Sequence, residues 1–193
     1  MCLRRSTMRK IYRPGIDRVD IDTDVYLRKV ASQDQTEFLQ LMRTSMDAHK
    51  PWITPPTTPQ MFRNYMQRIG RSDHEGYAIC RAEDDCIVGV INLNHVVRGT
   101  FQNASLGYYV GAPFQGLGYM QQGLEQVLRL AFTTLGLHRL EANIQPENLR
   151  SKALVARCGF EFEGLSKKFL YIDGEWRDHE RWSAFADRDT LRP

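Results

Sequence analysis

Apolar and polar positions along this chain follow two rhythms, and each change of rhythm marks a new element. "VYLRKV" (Val25–Val30) reads as a short strand. Ser32 with Gln35 resembles a capping box, and Phe38, Leu41 and Met42 then recur at helical spacing. That helix is expected to stop near His49, because Pro51, Pro55, Pro56 and Pro59 follow. "QMFRNYMQRIG" predicts a second short helix. "EGYAICRA" and "CIVGVINLNHVV" read as strands separated by "EDD", and "TFQNASLGYYV" follows after "RG". A glycine-rich joint then enters a long helix whose Leu117, Met120, Leu124, Val127, Leu128 and Ala131 share one face. "HRLEANI" is a strand, and "NLRSKALVARCG" a helix closed by Gly159. "FEFEGLSKKFLYI" and "EWRDHERWSAF" form a hairpin across Asp173-Gly174. The order β-α-α-β-β-β-α-β-α-β-β predicts a mixed sheet covered by helices, in the α/β or α+β class.

Composition narrows the setting. The 193 residues suffice for one domain, placed at residues 25–186, with an N-terminal arm (1–24) and a C-terminal tail (187–193). A net charge of +3 without a clustered basic face argues against a nucleic-acid partner. No apolar stretch of signal-peptide length follows the basic start, and no window nears the roughly 20 apolar residues of a membrane span. A cytoplasmic protein without membrane attachment is expected. Cys2, Cys80, Cys86 and Cys158 lack C-x-x-C spacing and read as buried or free thiols. The histidines form no pair at metal-ligand spacing, so no metal is expected.

The glycine-rich joint carries the chemistry. For a dinucleotide fingerprint, Gly116 and Gly118 supply two glycines, but Gln121 stands at the third. For a Walker A loop, Gly118 and Gly123 fit, but Leu124 and Glu125 replace the lysine and hydroxyl residue. What remains is Q-x-x-G-x-M, Gln115 to Met120, opening a helix. Bare glycines let a ligand approach the backbone, and the first N–H groups of a helix favour an anion. The residues alone leave two readings open, an anion seat built of amides or a turn that packs helix on strand.

This joint resembles the [QR]-x-x-G-x-[GA] loop of the GNAT N-acetyltransferase superfamily, with Met120 at the usual small final residue. The chain is more similar to the ribosomal-protein-alanine N-acetyltransferases of the RimJ/RimL type. The matching pieces are "KPW" (Lys50–Trp52), "VVRGTF" (Val96–Phe101), "LGYYVGAPFQGLGYM", "HRLEANIQPENLRS", "GFEFEG" (Gly159–Gly164) and "DGEWRDH" (Asp173–His179). They keep family order from Val25 to Phe185. The resemblance implies a mostly antiparallel sheet of about seven strands and about four helices, splayed between the strands ending near Val110 and Ile144. It implies acetyl-CoA as cosubstrate in that gap, with no metal.

It also implies roles. The Tyr109–Val110 edge would bond the pantetheine arm, and Gln115, Gly116, Leu117, Gly118, Tyr119 and Met120 would hold the pyrophosphate. Asn148 would contact the arm, while its position also suits a helix N-cap; the two coexist. Ser151 would stand near the thiol, or face solvent in the first turn. Glu141 would be a general base acting through water, or part of a solvated strand face. Trp52 would wall the acceptor slot, or belong to an ordinary interhelix connector. Two departures stand out. Val155 occupies the place of a general-acid tyrosine, and Leu170 that of a glutamate in other relatives. Ser151 then remains as proton donor, with Tyr171 behind it.

Little chemistry is needed. A peptide α-amine has a pKa of about 7.7–8.0 against about 10.4 for lysine, a difference worth roughly 3.5 kcal/mol in reaching the neutral nucleophile. The expected activity is N-acetylation of a protein N-terminus, such as a ribosomal protein beginning with alanine or serine. The alternatives are acetylation of a small amine or antibiotic, and a non-catalytic acyl-CoA-binding module. A monomer or a homodimer is compatible with the chain.

Overall fold

In the computed structural model, which describes residues 23–186, seven strands form one sheet. They are β1 (Val25–Lys29), β2 (His74–Arg81), β3 (Ile87–Val97), β4 (Asn103–Val110), β5 (Arg139–Ile144), β6 (Glu161–Ile172) and β7 (Glu175–Phe185). The helices are α1 (Gln35–Thr44), α2 (Met46–His49), α3 (Pro59–Ile69), α4 (Tyr119–Arg129) and α5 (Leu149–Arg157). The N-terminal arm apart from its last two residues, the C-terminal tail and Cys2 lie outside the described residues. No helix among the described residues is long and apolar enough to cross a membrane.

The strand order is β1-β2-β3-β4-β5-β7-β6, antiparallel throughout except between β4 and β5. That parallel pair is short. Asn103–Leu106 register with Arg139–Ala142, and then the two strands part. Their other neighbours draw them apart. β4 stays on β3 as far as Val110, while β5 stays on β7 as far as Ile144. The expected splay is present, and it leaves one side of the last turn of β4 open.

Each face of the sheet has its own core, because strand side chains alternate. One face carries Ile79, Leu93, Leu106 and Leu140 against Leu124 and Val127 of α4 and Val155 of α5. The other carries Ala78, Val90 and Tyr109 against Phe38 and Met42 of α1 and Phe62 and Tyr65 of α3. Val155 is fully buried, so the position matching a family acid is a core position here.

Local signals hold at most ends. Pro59 opens α3 behind Thr58, whose hydroxyl accepts the Met61 N–H at 3.2 Å. Gly159 sits at φ +81, with Gly159 N–H on Ala156 O and Phe160 N–H on Val155 O, which is a Schellman close. Asp173 and Gly174 both have positive φ, as a type I′ turn requires.

Three expectations are corrected. The first helix breaks at Ser45, whose Oγ accepts the Ala112 N–H at 2.8 Å and ties α1 and α2 to the end of β4. This adds a helix to the expected four. No Ser32–Gln35 capping box forms. The buried Asp34 carboxylate instead accepts the Ala31 N–H at 2.8 Å and a fork from Arg28. Cys80 and Cys158 are free thiols, but Cys86 is disulfide-bonded, a pairing that cysteine spacing did not signal.

Candidate active site

The joint between β4 and α4 is held open by backbone geometry. Gly116 and Gly118 have φ of +75° and +80°, the left-handed region that costs other L-residues about 1–2 kcal/mol. The space a Cβ would occupy at either one is empty of protein. The main-chain N–H groups of residues 116–121 donate to no acceptor among the described residues. They converge at the positive end of α4, where an anion is favoured.

A cleft of about 820 Å³ lies over these amides, on the α4–α5 face of the splay. Gln115, Gly116, Gly118 and Met120 line it, and across from them stand Asn148, Ser151 and two cations, Arg150 and Arg157. Arg150 reaches Gln115 and Arg157 reaches Gln121, each at 3.4 Å. No carboxylate lines this cleft, and its charged lining residues, Arg150 and Arg157, are both cations. Arg150 and Arg157 are absent from the sequence-based site. Their helical spacing of seven, on the helix after "PEN", was the available signal. Leu117 and Tyr119 do not line the cleft, and the Leu117 side chain is exposed; their offering is the main-chain amide. Met120 is buried instead, its methyl over Gly89, where a Cβ would lie 3.1 Å away. That pairing gives a large residue room at a position the family usually fills with a small one.

The open edge of β4 faces the gap. Gly111 N–H donates to Val88 O, so odd-numbered residues of this stretch turn their main chain to β3. Tyr108 and Val110 turn theirs into the splay. The main chain of Tyr109 is therefore spent on the ladder, although the residue lines both sides of the gap. His49, from α2, bonds the Val110 carbonyl through Nε2 at 2.9 Å. A carbonyl only accepts, so Nε2 carries the proton, and burial lowers the pKa of the ring and keeps it neutral.

Tyr108 points its side chain to the α5 side and its hydroxyl hydrogen-bonds Ser151 Oγ. Burial raises the pKa of the phenol well above its ordinary value, so it stays protonated. Asn148 caps α5, its Oδ1 accepting the Ser151 N–H at 3.1 Å, which fixes Ser151 beside Tyr108. Tyr108 is the group that sequence reasoning passed over; of the two tyrosines in "GYYV", strand alternation sends one to each face.

A second cleft, of about 800 Å³, opens on the opposite face and runs along β4 from Tyr109 back to Asn103. Trp52, Ile53, Tyr108, Tyr109, Asn148 and Ser151 border both clefts, so the two meet at the splay. Trp52 is half-buried at that junction, its carbonyl accepting Gln145 Nε2 at 3.5 Å. Asn92, Asn94, Asn103 and Asn143 give the second cleft an uncharged polar floor. Its one carboxylate is Glu141, which accepts Arg139 Nε at 2.8 Å and Asn103 Nδ2 at 3.1 Å. Arg139 also forks onto Glu163. Glu141 is registered against Ser105, three residues before Tyr108, or roughly 10 Å along the strand.

Comparison with known proteins gives the family and the fold. Residues 24–161 match the family described as the acetyltransferase (GNAT) domain. The chain is 34% identical to the [ribosomal protein uS5]-alanine N-acetyltransferase of Escherichia coli (strain K12), over 87% of this chain and 91% of that protein. Mycobacterium smegmatis RimJ in complex with CoA-disulfide superposes with a TM-score of 0.76 at 29% identity, covering 84% of this chain and 82% of that one. The ribosomal-protein-S5-alanine acetyltransferase of Vibrio fischeri superposes with a TM-score of 0.78 at 24% identity, covering 92% and 100%, a likeness of fold.

Proposed function

The chain belongs to the GNAT acetyltransferase family, and from that premise we propose that it moves the acetyl group of acetyl-CoA to the N-terminal α-amine of a ribosomal protein. The observation that carries the choice of acceptor is the chemistry of the second cleft. A polyamine would need several carboxylates there; the cleft offers one, already matched by Arg139, and adds the cation Arg68. An asparagine floor instead suits the amides of a peptide.

Each half of the site has its task. The free N–H groups of residues 116–121, with Arg150 and Arg157, suit a pyrophosphate and would hold that of acetyl-CoA. The N–H groups of Tyr108 and Val110, directed into the splay, would align the pantetheine arm and polarise the thioester carbonyl. The acceptor enters from the second cleft, past Trp52. An α-amine is substantially neutral near its pKa of about 8, so Glu141 has only to draw off one proton, through water across the roughly 10 Å gap. The amine nitrogen bonds the acetyl carbon and the carbon–sulfur bond breaks. Ser151 protonates the departing sulfur and is resupplied by Tyr108, which recovers its own proton from solvent.

The deciding measurement is release of free CoA thiol with a panel of acceptors: N-terminal peptides beginning with alanine or serine, polyamines, aminoglycosides and free amino acids. Peptides are expected to be turned over at least tenfold faster than the rest. Thiol release with spermidine and with no peptide would sink the assignment.

A further inference from the structure

The second cleft does not end where an acceptor's first residue would sit. It continues along β4 past Ser105 to Asn103 and closes on Val97 and Phe101. Val97 is registered against Asn103, five residues before Tyr108, which places it roughly 17 Å from the reacting end. Both apolar side chains are exposed, Val97 by 43% and Phe101 by 57%. They are not loose. A bulge at His95 (φ +53°) turns the end of β3, and Gln102 O anchors the loop by accepting the His138 and Arg139 N–H groups.

The floor between the two ends holds two unpaired acceptors. Asn103 gives Nδ2 to Glu141 and Asn143 gives Nδ2 to Ser105 Oγ, while the buried Oδ1 of each has no partner among the described residues. A buried amide oxygen without a donor costs free energy comparable to a lost hydrogen bond. Both oxygens are closed to solvent, so what the channel itself presents to an extended chain is the uncharged polar surface of side chains such as Asn94 and Ser105.

Resting on the reading of the acceptor as a protein N-terminus, we infer that this channel binds the acceptor as an extended strand and reads an apolar side chain at about its fifth residue, seated on Val97 and Phe101. The length follows from the channel: an extended chain advances about 3.3–3.6 Å per residue, so 17 Å takes roughly five residues. The occupant is the acceptor itself, because the apolar end and the splay are one continuous cleft.

The test is steady-state kinetics on alanine-starting peptides of three, six and eight residues, the two longer ones with leucine or aspartate at position five. KM should fall about tenfold from the three-residue peptide to the six-residue leucine peptide, and the aspartate version should lose that gain. Phe101→Ser should raise KM about tenfold for the long leucine peptides, with kcat and the tripeptide unchanged. Val97→Ser, on a different element, should do the same to a smaller extent. Equal KM at every length, or an equal loss on the tripeptide, overturns the inference while leaving N-terminal acetylation standing. So does a shift from dimer to monomer in sedimentation on Phe101→Ser with length dependence intact, since the patch would then be a contact between copies. If only small amines are acetylated, the assignment of a protein acceptor fails first.

Discussion

The Tyr108 hydroxyl rests on Ser151 Oγ across the gap between β4 and α5, at the point where the two clefts meet. The phenol is protonated and half-buried, the serine is pinned by the Asn148 cap, and no other described side chain pairs with either hydroxyl. This joins a strand residue to a helix residue 43 positions later, and in the proposed reaction it would supply the acid that Val155 does not.

If Tyr108 and Ser151 pass one proton to the departing sulfur, they act as a unit. Tyr108→Phe should lower kcat about tenfold or more, with KM for acetyl-CoA nearly unchanged. Ser151→Ala should do likewise, and the double variant should be no worse than the poorer single one. Additive losses in stopped-flow thiol release would show that the two hydroxyls work independently.

Glu141 stands farther from the chemistry and is already paired with Arg139, so its help should matter only while the amine is protonated. Glu141→Gln is expected to cost about tenfold in kcat/KM near pH 6.5 and to approach the unaltered enzyme above about pH 8.5, where an α-amine is neutral without assistance. A pH–rate profile with the same loss at every pH would contradict this.

Gly118→Ala places a methyl where the structure leaves room for a ligand and asks for φ +80°. Strain alone should cost about 1–2 kcal/mol of stability. Affinity for CoA should fall further, about a hundredfold, because the methyl meets the diphosphate. Calorimetry with CoA beside thermal unfolding separates the two; a loss of stability with unchanged affinity would mean that the diphosphate lies elsewhere.

Glu163 is held by the forked Arg139, which lowers its pKa to about 2. A depressed carboxylate pKa contributes stability above the unfolded value, about 4.3, and loses it as pH falls towards 2. The pair is partly exposed, so about 1 kcal/mol is a fair expectation, or about 2–4 °C in Tm. Glu163→Gln should therefore melt a few degrees lower at pH 7 and coincide with the unaltered protein near pH 2. A gap in Tm that persists at pH 2 would place the loss elsewhere.

Much of this was legible in the chain because it is local. The Asp173-Gly174 turn, the Gly159 close, the Thr58–Pro59 start and the seven strands all follow from residues within a few positions of one another. The glycine joint was legible for the same reason, since Gly116 and Gly118 are among the few residues that tolerate their backbone angles. Strand alternation, equally local, sets Glu141 opposite Leu140 and Ala142, which are both buried. The break at Ser45 was not legible, because its cause, the Ala112 N–H, lies 67 residues away. The side chains of Leu117 and Tyr119 turned from the cleft because α4 had to bury Met120, and only packing could choose.

By itself, then, the sequence determined where backbone direction changes, which faces are apolar, and that a helix starts on bare amides; each is decided by sterics and hydrogen bonding over a few residues. The tertiary structure decided the rest. β5 prefers β7 to the end of β4, so a gap opens and a row of N–H groups is left without carbonyls. Tyr108 meets Ser151, and a long channel with an asparagine-lined floor runs from the splay to Phe101, only because strands distant in the chain are brought side by side and diverge.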